Sequence, residues 1–227
     1  MINAYNLSEF YNTNGYAPHS LIDEFLTDKA YNTLLDEFPS NNLFKNEFPE
    51  TRKLGQRPHR RRFMCYYETK QSSYFDEYKI DLKNLSEIWQ ELCTNLMHGW
   101  QYKEWICETL KIKDFVIRYD WHRTADGLDV SPHIDSAGKY GSHLFYFMPP
   151  EWKDEYGGKT IFYKDKTVDK MNPETSDFKE SVSYPVIGNK SLLFKNADEG
   201  WHGVTQVTNN IGLHRQLFNV VILRTDI

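Results

Sequence analysis

Residues 131–136 read SPHIDS, which sets His133 and Asp135 two positions apart directly after a proline. Side chains on a β-strand alternate with period two, so residues i and i+2 face the same way and both can reach one ion. A divalent transition ion needs a third protein ligand, and the usual supply is an imidazole from a distant strand. The run EGWHGVTQV offers one: His202 stands at the lip of an apolar strand, 67 residues after Asp135. Arg215 follows 13 residues later and opens RQLFNVVIL. Two imidazoles and one carboxylate occupy one face of an octahedral ion and leave three positions open, room for a bidentate ligand and dioxygen. A bidentate 2-oxo acid has a far carboxylate, and a planar guanidinium meets such a group with two parallel hydrogen bonds. His-x-Asp is a common triplet, and eight histidines offer many partners. Taken alone it reads as a turn or a structural hydrogen-bonded pair.

The segments that must position these residues change character along the chain. In SLIDEFLTDKAYNTLLDEFPS (20–40), Leu21, Ile22 and Phe25 open a short strand. Thr27 or Asp28 can then cap a helix, since a side-chain oxygen satisfies the first orphan amides. Tyr31, Leu34, Leu35 and Phe38 recur at helical spacing, and Pro39 ends the run. A second helical region covers about 84–110. Ile88, Leu92, Leu96, Trp105, Ile106 and Leu110 form its apolar face, with a break near Gly99. From about 114 the runs DFVIRYDW, SHLFYFM, KTIFYK, VSYPVI, KSLLFK and RQLFNVVIL are short and rich in β-branched and aromatic residues. Strands at this spacing predict a sandwich or barrel-like double sheet. The expected layout is one α+β, mainly β domain over 1–227. A helical and strand support region (1–113) buttresses a β core (114–227) that carries the metal site.

Composition bounds the rest. Of 227 residues, 40% are hydrophobic and 15% aromatic, enough for one sizeable core and against wholesale disorder. The net charge of −5 gives the molecule as a whole no attraction to polyanions. A local exception is RKLGQRPHRRRF, with Arg52, Lys53, Arg57, Arg60, Arg61 and Arg62. It reads either as an anion or nucleic-acid patch or as a solvated loop entering an edge strand. Residues 164–181 are polar and non-periodic, a surface loop long enough to act as a lid. Gly157-Gly158 reads as a turn needing positive φ. Cys65, Cys93 and Cys107 are odd in number and widely spaced, which fits a reducing compartment. The absence of a signal-like start and of a long apolar run makes a cytoplasmic protein with no membrane partner the expectation.

Four pieces in order carry a resemblance: IRYDWHRTADGLDVSPHID (117–135), HLFYFMPPEWKDEYGGKTIFY (143–163), SLLFKNADEGWHGVTQV (191–207) and RQLFNVVI (215–222). Together they resemble the iron(II)/2-oxoglutarate-dependent oxygenases, in particular the prolyl 4-hydroxylase-like branch. The opening SLIDEFLTDKAYNTLLDEF resembles that branch more weakly. The resemblance implies a double-stranded β-helix, or jelly roll, with His133, Asp135 and His202 as iron ligands and Arg215 as the anchor of the 2-oxoglutarate carboxylate. It further implies Tyr119 as a tyrosine that helps hold the co-substrate and Thr160 as a pocket-lining residue. If Arg215 points inward, strand parity sends Leu217 and Asn219 inward with it, so Asn219 becomes a buried amide available to co-substrate or substrate. A second co-substrate tyrosine matches Tyr146 in one register. In the other it matches Phe147, and His143 on that same strand face would substitute.

The implied cofactors are Fe(II), 2-oxoglutarate and O2, with ascorbate as an optional further reductant. The implied reaction is hydroxylation. Retention of Asp135 speaks for it, since halogenating relatives carry a small residue there. Leu217 and the longer interval from His202 to Arg215 depart from many members. The expected substrate is a small molecule, an amino acid or a prolyl-type peptide residue, with no nucleic acid. Three rival readings stay open: a nucleic-acid dealkylating oxygenase, a non-catalytic cupin-like binding module, and a zinc hydrolase.

Overall fold

The computed structural model describes residues 1–3, 15–47, 59–186 and 188–225. The strands are β1 (His19–Asp23), β2 (Lys45–Glu47), β3 (Arg61–Tyr67), β4 (Val116–Thr124), β5 (Val130–His133), β6 (Lys139–Tyr146), β7 (Thr160–Lys166), β8 (Phe178–Tyr184), β9 (Lys190–Lys195), β10 (His202–Val204) and β11 (Arg215–Leu223). They form two antiparallel sheets, in the orders β1-β9-β6-β11-β4-β3-β2 and β5-β10-β7-β8. From β4 onward the chain sends β4, β6, β9 and β11 to the larger sheet and β5, β7, β8 and β10 to the smaller one. That winding is a jelly roll, the double-stranded β-helix expected from the sequence. The larger sheet is extended by strands from the first half of the chain, β1 beside β9 and β3 beside β4.

Helices α1 (Asp28–Asp36), α2 (Glu87–His98) and α3 (Trp100–Leu110) cover the outer face of the larger sheet. Thr27 caps α1, its hydroxyl accepting from the Ala30 amide. Gly99 separates α2 from α3 where expected: a Cβ there would stand 2.2 Å from the Asn95 carbonyl oxygen, so only glycine fits the break. Trp89 of α2 donates from its indole to Leu34 O at 3.1 Å and packs on Phe147 and Phe218. Burial of one such ring stabilises the fold by about 1.5–3 kcal/mol. No described helix is long and apolar enough to cross a membrane.

Directly opposed residues in an antiparallel pair share a face. Phe218, Val220 and Ile222 of β11, with Phe145 and Phe147 of the β6 segment and Tyr119 and Trp121 of β4, therefore turn toward the helices. Leu217, Leu144 and Tyr146 turn into the barrel and meet Phe162 and Val207. The barrel-facing row of β4 is polar: Arg118, Asp120, His122 and Thr124 are all buried there.

Two expectations change. The segment 164–181 is not one long loop, because β7 runs to Lys166 and β8 begins at Phe178. Phe178 anchors the strand by packing on Tyr163, while the residues after it alternate too weakly in polarity to announce it. The basic run does not enter an edge strand either. Arg61 and Arg62 open β3, which has β2 on its outer side. Arg52, Lys53 and Arg57 lie outside the described residues.

Candidate metal centre

His133 ends β5 and His202 begins β10, directly opposite each other in the ladder. Their ring centroids are 4.3 Å apart. Asp135 lies two residues past the end of β5, and one ligand atom from each of the three lies within 4.8 Å of the others. Each imidazole is oriented by a carbonyl two residues earlier: His133 Nδ1 is 3.0 Å from Ser131 O and His202 Nδ1 is 2.9 Å from Gly200 O. A carbonyl can only accept, so Nδ1 carries the proton and Nε2 is the nitrogen that presents a lone pair. Fixing the tautomer through a backbone acceptor is the usual support of a ligating histidine.

The carboxylate is asymmetric. Lys139 Nζ donates to Asp135 Oδ1 at 2.7 Å, whereas Oδ2 is buried with no hydrogen-bond partner among the described residues. Burial alone would raise the Asp135 carboxyl, but Lys139 and then the two imidazoles outweigh it and hold it well below the ordinary carboxylate range. A buried ionised oxygen without a partner is costly unless a cation meets it. Two Nε2 atoms and this oxygen suit a divalent transition ion with open positions.

Arg215, 2% exposed, heads β11 on the face that turns into the barrel. Its Nε donates to Gly158 O at 2.6 Å, and Nη2 is buried without a partner among the described residues. The guanidinium carbon is 5.5 Å from the Tyr146 ring centroid, and the Tyr146 hydroxyl pairs with Thr160 Oγ1 at 2.7 Å. Gly158 has φ +67°, and a Cβ there would stand 2.9 Å from Arg215 Cδ, so the close approach requires glycine. The turn expected at Gly157-Gly158 thus also seats the arginine. A buried guanidinium with an unused donor is a socket for an anion. Asn219 lies on the same face of β11, opposite Leu144 and Asp120, with Oδ1 buried and unsatisfied.

Two expected residues are not brought to this cluster. Tyr119 is on the helix face of β4 and donates from its hydroxyl to Cys93 O of α2 at 2.7 Å. His143 is on the helix face of β6, between the Tyr102 hydroxyl at 3.1 Å and Ser191 Oγ at 3.0 Å. Burial pushes its pKa down to about 3. Phe147 shares that face and packs on Trp89. Of the two candidates it is Tyr146 that faces the barrel, because the even-numbered residues of this stretch of β6 turn that way. Trp201 packs on Phe178, under Lys166.

The β4 position that does face the chamber is His122, which sequence reading missed. Arg61 Nη1 is 3.1 and 3.0 Å from its two ring nitrogens. Burial, then Arg61, Arg215, Arg118 and Lys139, holds its pKa well below the usual imidazole value, so the ring is neutral. Arg118 and Asp120 form a bidentate pair beside it, at 2.8 and 2.9 Å. The signal was present in VIRYDWH as alternation, but polar residues on one face of a strand ordinarily mean solvent, not a chamber.

A His-Asp-His cluster that could hold a metal ion thus sits in a double-stranded β-helix that also buries a guanidinium with an unpartnered donor. Solved structures share the fold. A prolyl-4-hydroxylase from Pseudomonas putida aligns with a TM-score of 0.59 at 13% identity, over 92% of this chain and 93% of that one. A 2OG-Fe(II) oxygenase family oxidoreductase from Burkholderia pseudomallei aligns at 0.58 and 12% identity, over 98% and 93%. A Trichoplax adhaerens prolyl hydroxylase, solved with a hypoxia inducible factor oxygen degradation domain peptide fragment, aligns at 0.53 and 16%, over 93% and 84%. At these identities the likeness is one of fold. No family model and no curated sequence matches the chain.

Proposed function

We propose that this protein is an iron(II)- and 2-oxoglutarate-dependent oxygenase that hydroxylates an unactivated C–H bond of a small molecule, an amino acid or a prolyl-type peptide residue. One observation carries the reading: two buried polar atoms of opposite demand, Asp135 Oδ2 and Arg215 Nη2, stand without a hydrogen-bond partner among the described residues, and buried His122 feels both Arg215 and the Lys139 that pairs with Asp135. A divalent cation meets the first, beside the two Nε2 atoms, and a carboxylate meets the second. A 2-oxo acid with a distal carboxylate links both.

With iron bound, the co-substrate and O2 supply the oxidising power: one oxygen atom enters the substrate C–H bond, and the other ends in the succinate formed as CO2 leaves. The chain's own residues bind and orient. His133, Asp135 and His202 hold the ion from one side. Arg215 takes the far carboxylate with Nη2, its Nε being tied to Gly158 O. Tyr146, anchored to Thr160, closes the pocket beside that carboxylate, and Asn219 lines the wall between Arg215 and β4. His122, kept neutral, can accept or donate one hydrogen bond without adding charge.

Residues 61 and 62 do not favour nucleic-acid dealkylation. Arg61 pairs with Glu47, and Arg62 Nη2 donates to Asn41 O and Phe44 O, so both are engaged internally. A cupin-like binding module and a zinc hydrolase are separated from this reading by turnover and by its dependence on the oxo acid. The test is anaerobic titration of Fe(II) with 2-oxoglutarate, which should give a weak visible charge-transfer band. Candidate substrates are then screened for succinate release coupled to a mass gain of one oxygen. No band, or metal-dependent turnover without oxo acid, ends the proposal.

A further inference from the structure

The barrel-facing residues of β6 are even-numbered, Ser142, Leu144 and Tyr146, so Lys139 should point toward the helices. It does not. Opposite β11 the register runs Val221↔Ser142, Ile222↔Gly141 and then Leu223↔Lys139, skipping Tyr140. This bulge adds one residue to β6 and reverses the parity beyond it. Lys139 now shares the face of Leu223, inside the barrel, and Tyr140 packs with the helix-side core under Arg224. Bulges beside active sites commonly re-aim one side chain in this manner. Here the re-aimed chain is a lysine whose Nζ lands 2.7 Å from Asp135 Oδ1, with both side chains largely buried.

We propose that Lys139 is a positioning residue that holds Asp135 to one-oxygen ligation of the metal and so preserves the coordination position dioxygen must use. The inference rests on the oxygenase reading above. A carboxylate with two available oxygens can chelate an ion through both. Two imidazoles and a one-oxygen carboxylate fill three of six positions; the 2-oxo acid takes two and one remains. Were Asp135 to chelate through both oxygens, four positions would be filled, and the oxo acid would take the last two. The hydrogen bond from Lys139 draws Oδ1 toward the ammonium and leaves Oδ2 as the oxygen without a partner, which favours the first arrangement. The lysine's charge also opposes the metal, so its presence trades binding strength for an open face.

The test loads the full-length protein with Mn(II) and reads water-proton relaxation, which scales with the water molecules bound to the ion. Lys139→Met keeps the side chain's length and apolar stem. The variant should show relaxation enhancement per bound Mn(II) lower by about one third, as three open positions become two. It should bind Mn(II) more tightly than wild type and bind 2-oxoglutarate to the Mn(II) form more weakly. Lys139→Gln should move all three readouts the same way. A residue that merely stabilises the loop would leave relaxation per ion unchanged. That result, with wild type binding both Mn(II) and 2-oxoglutarate, overturns this inference alone. Wild-type protein that takes up no Mn(II), or binds 2-oxoglutarate without it, overturns the oxygenase reading and this inference together.

Discussion

The two faces of the larger sheet are built from the same strands, yet they obey opposite rules. On the helix side Phe218, Val220, Tyr119 and Trp121 are fully buried, and Trp89, Trp121 and Phe218 interlock pairwise at centroid distances of 4.9 to 5.9 Å. On the barrel side, one residue away along each strand, stand Arg118, Asp120, His122, Arg215 and Asn219, all nearly as deeply buried. Burying charge is expensive, so the barrel face costs stability where the helix face supplies it. The difference shows a division of labour. The apolar face holds the sheet rigid, and that rigidity lets the polar face keep Arg215 Nη2 buried without a hydrogen-bond partner among the described residues.

Neighbouring residues on β11 break this comparison most directly. Phe218→Ala should destabilise the protein by about 3–5 kcal/mol, the usual cost of emptying an aromatic site in a packed core. Denaturant unfolding measures it. Any loss of 2-oxoglutarate affinity should track unfolding, not precede it. Three residues earlier, Arg215→Leu should do the reverse. The Kd for 2-oxoglutarate, read by calorimetry on the metal-loaded protein, should rise by about 100-fold with the loss of a buried charge-assisted pair. The apoprotein should be as stable as wild type or more so, because an uncompensated buried cation has gone. An Arg215→Leu protein that binds the oxo acid normally would remove that residue from the site.

Much of this organisation was legible in the sequence, for stated physical reasons. The cluster showed itself through residue types and order, and His133, Asp135 and His202 do lie together, although Asp135 stands past the end of β5 and so not by strand alternation. KSLLFK and RQLFNVVIL match β9 and β11 residue for residue, because continuous apolar runs bounded by polar turns admit few other readings. What failed was facing. Tyr119 was placed in the chamber by position within a motif, but its hydroxyl serves the α2 carbonyl of Cys93. His122 was passed over because local polarity does not say whether a polar face sees water or a cavity. Lys139 reads in the sequence as an ordinary lysine. Its aim depends on a register shift against β11, a non-local event with no local signature.

A pH measurement sharpens the contrast between the faces. His143 sits between Tyr102 and Ser191 amid Phe25, Trp105 and Phe145, and burial pushes its pKa down to about 3 from the ordinary imidazole value of about 6.5. The unfolded chain therefore takes up a proton that the folded protein refuses between those values. The contribution is fully present above pH 6.5 and is lost as pH falls toward 3, on the order of 1 kcal/mol per unit. His143→Phe should flatten the acid limb of stability against pH. It should not abolish it, since burial also lowers His122 and His19. An unchanged slope would mean that His143 is protonated in the fold, with its ring in a different setting.

Tyr119→Phe is expected to have the smallest effect, and it separates the two faces most cleanly. The substitution removes one hydroxyl and leaves the ring, which is buried and packed on Phe218 and Trp121. On the helix face that hydroxyl donates to one backbone carbonyl, so its loss should cost about 1 kcal/mol of stability, including the carbonyl left unpaired. A hydroxyl in the chamber would instead have touched the co-substrate, and its removal would weaken 2-oxoglutarate binding with little change in folding. Parallel thermal unfolding and 2-oxoglutarate titration of the variant therefore give opposite patterns for the two placements. Lower stability with unaltered affinity puts Tyr119 with the helices. The reverse would mean that β4 is out by one residue, with Tyr119 in the chamber and His122 turned toward the helices.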